Sequence, residues 1–421
     1  MLKAVILVGG PLKGTRFRPL SLDIAKPLFL VAGRPLIQHH IEACLAVPNL
    51  KEILILGYYP ASDFVSFISI MVQEYKINIR YLQEFTPLGT AGGMYHFRDQ
   101  IRIGNPEGFF VLNGDVCMDF PLQKLFDAHQ KHKNAVATVM VTEATRQQSI
   151  EYGCVVLNKN TQEVTHYVEK PETFVSALIN CGIYIFSMDI FQAMAQVFDK
   201  KQADYYSVSN NGSGTQSSII NLETEILLPM AGTGKLFAYQ TINWWSQLKT
   251  AGSAIYANRH YLSLYKQNSP ERLAKNVEGC CTIIGDVYIH PTATVNPSAV
   301  LGPNVSVDRD AVIGPGVRIR ESIILSSACL QDHCIVLHSI IGCSSQVGCW
   351  ARVEGTPYDP NPNKPFTKME NPPLFNSDGR LNPSITILGC GVTIPPEVIL
   401  LNSIVLPNKE LSRSIKNEII L

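Results

Sequence analysis

The sequence has no charge excess: its 421 residues hold 35 Lys+Arg and 35 Asp+Glu. That balance excludes a partner held by bulk electrostatics, whether nucleic acid or an anionic membrane surface. It also lacks any uncharged apolar run of the ~18 residues that a transmembrane helix needs. Its 11 cysteines include no C-x-x-C pair, and their number is odd. The apolar stretch that opens the chain is too short for an export signal and runs straight into Gly9-Gly10. Reduced thiols in a cytoplasmic protein are therefore expected. Charged residues make up only 17% against 46% apolar, which excludes a disordered chain. At ~150 residues per domain, the length suggests two or three domains.

What is present falls into two halves. Up to about residue 250, short apolar runs at 4–8, 52–57, 79–82, 109–112, 136–141 and 182–186 alternate with helical patterns such as 35–45. Strands alternating with helices predict a mixed, mostly parallel α/β sheet, with ligands at the carboxyl ends of its strands. Residues 209–218 form a low-complexity stretch that predicts a surface loop.

From about 283 a period of six takes over. Val287, Ala293, Ala299, Val305, Ala311, Val317, Ile323, Cys329, Ile335, Ile341, Val347 and Val353 are all small or apolar. A second column runs Ile289, Val295, Leu301, Val307, Ile313, Ile319, Leu325 and breaks at Gln331. Such a repeat predicts a left-handed parallel β-helix with three faces per coil. The pattern resumes at Leu388, Ile394, Leu400 and Leu406. Between lies an insertion, 356–383, with seven prolines and no period of six. Loops of that length are commonly functional. Here Pro357, Pro365, Phe366, Met369, Leu374 and Phe375 are the candidate partner-contacting residues. The expected domains are 1–252, a linking helical region 253–282, and 283–421.

The first strand ends in Gly9-Gly10-Pro11-Leu12-Lys13-Gly14-Thr15-Arg16-Phe17-Arg18-Pro19-Leu20. Glycines that let backbone N–H groups approach an anion, with cations nearby, are what a phosphate cradle requires. Residues 1–30 carry Lys3, Lys13, Arg16, Arg18 and Lys26 against Asp23 alone. The pattern is neither a Walker A loop nor G-x-G-x-x-G.

This loop, with Lys26-Pro27-Leu28, resembles that of the sugar-1-phosphate nucleotidyltransferases. Further blocks resemble the family in order: Pro87-Leu88-Gly89-Thr90-Ala91-Gly92, Leu112-Asn113-Gly114-Asp115, Tyr152-Gly153, Val168-Glu169-Lys170-Pro171 and Asn180-Cys181-Gly182. Mannose-1-phosphate guanylyltransferases, which append a hexapeptide β-helix, extend the likeness along the whole chain. The resemblance implies a Rossmann-like nucleotidyltransferase fold followed by the β-helix. It implies that Arg16 and Lys26 face phosphates, with Gly9 and Gly10 near base or phosphate. Glu84, Gly89 and Thr90 would line the cleft, and Glu169, Lys170 and Asn180 would hold the sugar. Asp115 would be a carboxylate ligand of Mg2+.

Two departures stand out. The loop has three residues, Pro11, Leu12 and Lys13, where the family has one between Gly-Gly and Gly-Thr-Arg. The second metal carboxylate of the family falls on Gln247, in Trp245-Ser246-Gln247-Leu248-Lys249. A neutral amide is a poorer Mg2+ ligand than a carboxylate. The likeness is thus to the regulatory, non-catalytic branch of the family. It implies a subunit that binds GDP-mannose, needs no cofactor, self-associates, and mediates feedback inhibition of a catalytic beta subunit. The alternative is an active enzyme converting GTP and mannose 1-phosphate to GDP-mannose and diphosphate with Mg2+.

Overall fold

The computed structural model describes residues 1–11, 14–209, 219–357, 366–368 and 373–421, with the backbone alone at 205–209 and 366. The chain divides into two compact units, Met1–Lys13 with Ile37–Trp245 and Gly14–Leu36 with Ser246–Leu421. No linear division of the sequence expresses this, because the segment carrying Arg16 and Lys26 groups with the C-terminal half.

The first unit is built on a nine-stranded sheet. At its centre Leu2–Gly9 pairs in parallel with Leu50–Gly57 on one side and Gly108–Asn113 on the other. Asn78–Gln83 extends the parallel run. Leu178–Phe186 then joins antiparallel and bridges to Ala137–Glu143, which pairs in parallel with Leu236–Gln240. These are the six strands that apolar runs predict; five extend beyond the run, and that expected at 136–141 is shifted to Ala137–Glu143. Their Val, Ile, Leu and Phe side chains are buried on both faces, as a covered parallel sheet requires. The hairpin of Gly153–Leu157 and Val164–Glu169 and the strand Leu236–Gln240 escaped the sequence reading, although Cys154–Leu157 and Leu236–Tyr239 are short apolar runs. Lys3, counted with the basic loop, is 1% exposed and pairs with Glu52 at 2.7 Å inside this unit.

The second unit is a three-faced parallel β-helix, its sheets holding seven, seven and five strands, consistent with the left-handed form expected. Its coils are not uniform. Val287 pairs with Val305, 18 residues on, whereas Ser306 pairs with Ile323 and Ile323 with Ile340, 17 residues on. Each shortened corner moves the inward column back by one. The core positions therefore run Leu301, Val307, Ile313, Ile319, then Ile324, Leu330, Val336, then Ile341, Val347, Val353. This corrects the step-of-six columns: Ile323, Cys329 and Ile335 lie outside that core, and the break at Gln331 marks where Leu330 turns inward. Likewise Val405, not Leu406, enters the core after Leu400.

Each short corner has a repeated chemistry. Ser322, Ser339 and Ser403 donate their hydroxyls to the carbonyls of Arg320, Leu337 and Leu401, each at 2.7 Å. The oxygens of Ser322 and Ser403 also accept an N–H of the next coil, from Ser339 at 3.1 Å and from Glu418 at 3.3 Å. Before each serine stands Glu321, His338 or Asn402 at positive φ.

The helix Ser253–Asn268 packs along this unit. Its Asn258, 1% exposed, accepts from the Ala32 N–H at 2.9 Å and the Ser306 hydroxyl at 2.8 Å. Arg259 pairs with Glu321 at 2.9 Å. These bonds fix the segment 14–36 and the first coils to one helix. Among the described residues, no helix is long and apolar enough to cross a membrane.

Candidate functional site

In the first unit, the carboxyl ends of the parallel strands bring several expected residues to one edge of the sheet. Gly9 closes the first strand, and its carbonyl accepts from Tyr58 N at 2.7 Å. Gly114 N donates to Leu7 O at 2.8 Å, which sets the turn carrying Asp115. Gly10 lies flat against Tyr58, whose Cβ would be 3.0 Å from an added methyl. Glu84 follows the strand Asn78–Gln83, donating its N–H to Gly57 O at 2.8 Å. Its carboxylate turns back on its own segment, accepting from Leu88 N at 3.4 Å. The missing side chain of Gly93 makes room for it, since a Cβ there would stand 2.0 Å from Glu84 Oε1.

A second group gathers the sugar-side candidates. Thr90 lies in the first turn of the helix Gly89–His96; its hydroxyl donates to Glu223 Oε2 at 3.1 Å and accepts from Leu222 N at 2.8 Å. Gly89, at φ +82°, brings the helix start against Ile220, whose carbonyl takes the N–H groups of Ala91 and Gly92 at 3.0 and 3.2 Å. Glu169 ends the strand Val164–Glu169 and accepts from the Tyr167 hydroxyl at 2.9 Å. Asn180 Nδ2 donates to the hydroxyls of Tyr167 at 3.1 Å and Tyr184 at 2.8 Å, and its Oδ1 accepts from Gly182 N at 2.8 Å. Burial pushes both tyrosine hydroxyls well up, so they stay protonated donors. Burial also raises the Glu223 carboxyl, helped by the neighbouring Glu169 and opposed by the Thr90 hydrogen bond and Lys170. Thr90, Glu169, Lys170 and Asn180 thus share one polar network.

Sequence reasoning missed Glu223, Tyr167 and Tyr184. Tyr167 alternates with Glu169 on one strand and was open to a period-two reading. Glu223 follows the low-complexity stretch and carries no local signal.

The segment 14–36 carries the cationic candidates. Arg16 sits exposed in the short turn Thr15–Phe17, and Lys26 opens the turn Lys26–Leu28. Lys26 Nζ lies 5.8 Å from the Phe17 ring centroid, and Phe17 meets Phe29 edge-on at 5.1 Å. This aromatic pair anchors both turns. A Cβ on Gly14, at φ +83°, would stand 3.9 Å from Lys26 Nζ. Leu12 and Lys13, where the loop is enlarged, lie outside the described residues. Gln247 ends the strand Trp245–Gln247, and its carbonyl accepts from Lys249 N at 2.8 Å. Among the described residues, no group of three or more His, Cys, Asp or Glu could hold a metal.

Of the insertion candidates, Pro365 and Met369 and the Phe366 side chain lie outside the described residues. The remainder has structure of its own. Phe375 and Leu381 form an antiparallel bridge around a turn in which Asn376 Oδ1 accepts from Asp378 N at 3.0 Å and Arg380 N at 2.9 Å. Leu374 and Phe375 are each 45% exposed.

Residues 3–211 match the family model described as nucleotidyl transferase, and residues 283–421 the GMPPB C-terminal domain. A Drosophila melanogaster protein named mannose-1-phosphate guanylyltransferase regulatory subunit alpha is 64% identical, with all of both chains covered. A Xenopus laevis protein named mannose-1-phosphate guanyltransferase alpha-A is 60% identical, and a Papio anubis regulatory subunit alpha 56%, again over all of both chains. The chain belongs to the mannose-1-phosphate guanylyltransferase alpha-subunit family. Family members of this kind join a nucleotidyl transferase domain to a β-helix, and both parts are present here.

Proposed function

We propose that this chain is a regulatory subunit that binds GDP-mannose in its nucleotidyl transferase domain without turning it over. Bound GDP-mannose makes it inhibit a catalytic beta subunit, which holds down the supply of GDP-mannose for glycosylation. The observation that carries this reading is the full-length likeness to relatives named as regulatory subunits. Gln247 supports it, because chemistry that needs two anionic metal ligands loses one.

The network around Glu169 suits a hexose. Carboxylate oxygens accept from sugar hydroxyls, and Lys170 donates to hydroxyl or phosphate. The tyrosines and Asn180 hold Glu169 in one orientation before a ligand arrives, which lowers the ordering cost of binding. In the segment 14–36, Arg16 and Lys26 supply donors for a diphosphate, Arg16 in a planar fork and Lys26 as a point charge. Gly9 and Gly10 leave backbone N–H groups close to an approaching base or phosphate. No cofactor is needed for binding alone, and the setting is cytoplasmic.

Calorimetry on the purified chain tests this. GDP-mannose should bind more tightly than GTP or GDP-glucose. Glu169→Ala should weaken it by about 1–3 kcal/mol, as expected when a hydrogen-bonding partner of the ligand is removed. A chain freed of beta subunit should release no diphosphate from GTP and mannose 1-phosphate with Mg2+. Release at ordinary enzyme rates would establish the second reading, an active guanylyltransferase. The enzyme name of the Xenopus laevis relative and the retained Asp115 favour that alternative.

A further inference from the structure

We propose that Cys343 and Cys390 are an oxidation-responsive thiol pair, closing reversibly to a disulfide that staples the two coils joined by the insertion. The pairing follows from the coil register. Gln346 pairs with Thr393 and Ser339 with Thr386, so residues 47 apart are neighbours across these coils, and Cys343 and Cys390 are such residues. Gly391 N donates to Cys343 O at 2.8 Å, continuing a corner column in which Ser344 N donates to Ser326 O at 2.9 Å and Asn408 N to Cys390 O at 2.8 Å. Adjacent parallel strands stand about 4.8 Å apart. That falls inside the ~4.4–6.8 Å window of Cα separations that a disulfide spans. Each thiol is the first cause of the other's shifted titration, as close neighbours are, and both are partly exposed.

The two sulfurs are chemically unequal. Cys343 accepts from Cys390 and from the Ser326 hydroxyl at 3.4 Å, and the Cys390 hydrogen bond is the larger cause of its lowering to about 6. Cys390 is raised, first by Cys343, then by burial, with the neighbouring Asp23 carboxylate raising it further. By contrast, burial raises Cys44 and Cys334 to about 12. A thiolate is the form that attacks a peroxide, and a neighbouring thiol resolves the product. Cys343 thiolate attacks one peroxide oxygen, giving the sulfenic acid and hydroxide, which takes a solvent proton and leaves as water. Cys390 then attacks the Cys343 sulfur. Its proton passes by way of Asp23 to the sulfenic hydroxyl, which leaves as water. Two thiols are oxidised by two electrons in total, and one hydrogen peroxide is reduced to two waters. Transient bridges of this kind are the ones that intracellular proteins use.

The test uses the reduced full-length chain, hydrogen peroxide, alkylation of remaining thiols, and peptide mass mapping. The expected product is a Cys343–Cys390 bridge, reversed by dithiothreitol, while Cys44 and Cys334 remain alkylatable. Asp23→Asn should slow closure about tenfold or more and let Cys343 sulfenic acid accumulate, where dimedone traps it. If both cysteines are still alkylated at peroxide levels that oxidise the exposed Cys280, or if either bridges to another cysteine, the pair is not a redox site. Closure of Asp23→Asn at the wild-type rate would overturn the role given to Asp23. The wild-type mapping needs no variant to fold.

Discussion

A methyl group added at Gly153 would stand 2.2 Å from the Tyr167 hydroxyl and 2.7 Å from Glu169 Oε2. Gly153→Ala should therefore break the Tyr167–Glu169 hydrogen bond and force both groups to move. Overpacking of this kind costs about 1–3 kcal/mol. Denaturant unfolding should show that loss, and calorimetry should show weaker GDP-mannose binding; unchanged affinity would remove Glu169 from the sugar site. A second prediction concerns Glu223. Its folded-state carboxyl is raised above its ordinary 4.5, first by desolvation. A raised carboxyl favours the folded state while protonated and loses that contribution as pH rises through the folded value. Glu223→Gln keeps an acceptor for Thr90 and removes the charge. The variant should melt above wild type at neutral pH, with the gap closing as pH falls from the raised folded value to about 4.5. A gap independent of pH would show that Glu223 is not the titrating group. The legible residues were those embedded in motif blocks, such as Glu169 with Lys170. Glu223 was not legible, because only the fold carries it 133 positions back to Thr90.

The β-helix shows the same limit among elements. A period of six fixed the architecture, yet the phase slips wherever a coil has 17 residues. The better signal is the corner itself: Glu321-Ser322-Ile323-Ile324, His338-Ser339-Ile340-Ile341 and Asn402-Ser403-Ile404-Val405 repeat one pattern. A Ser hydroxyl there serves one coil as donor and the next as acceptor. Ser322→Ala removes the acceptor of the buried Ser339 N–H, which lies 3.1 Å from the Ser322 hydroxyl, and should cost about 1–3 kcal/mol. The corner rule also locates the insertion. Ser339 pairs with Thr386 at a spacing of 47, thirty more than the 17 of a short coil. Excising 355–384 joins Glu354 to Ile385 as Leu337 joins His338. That junction needs positive φ, which a β-branched residue resists. Excision with Ile385→Asn should thus fold and melt near wild type, and excision alone should melt lower. Equal melting of the two would show that the corner does not impose its backbone on residue 385.

On the scale of the whole molecule, the sequence announced two architectures but not how the chain is shared between them. Gly14–Leu36 leaves the nucleotidyl transferase half and groups with the β-helix half, held by the Ala32–Asn258 bond and the fit of Tyr288 over Gly33. No local pattern predicts that, because the partners lie over two hundred positions away. Under the proposed function, Glu169 and Lys170 take the sugar of GDP-mannose. Its binding energy is then available to favour one arrangement of the subunit over another, and a ligand acts on a partner only through such a difference. Transmission needs a segment of the second unit that reaches the partner, and the insertion offers exposed Leu374 and Phe375 on a hairpin closed by its own hydrogen bonds. The complex of catalytic subunit with the excised, Ile385→Asn chain should bind GDP-mannose as wild type does, by calorimetry. Its guanylyltransferase rate should no longer fall as GDP-mannose is added. A second variant, Leu374→Ser with Phe375→Ser, keeps the loop and removes only its apolar contact, so it should reproduce most of the loss. Inhibition retained in both complexes would move the transmitter from the insertion to the β-helix coils or the nucleotidyl transferase unit. Inhibition lost only on excision would assign it to the insertion's backbone or polar side chains.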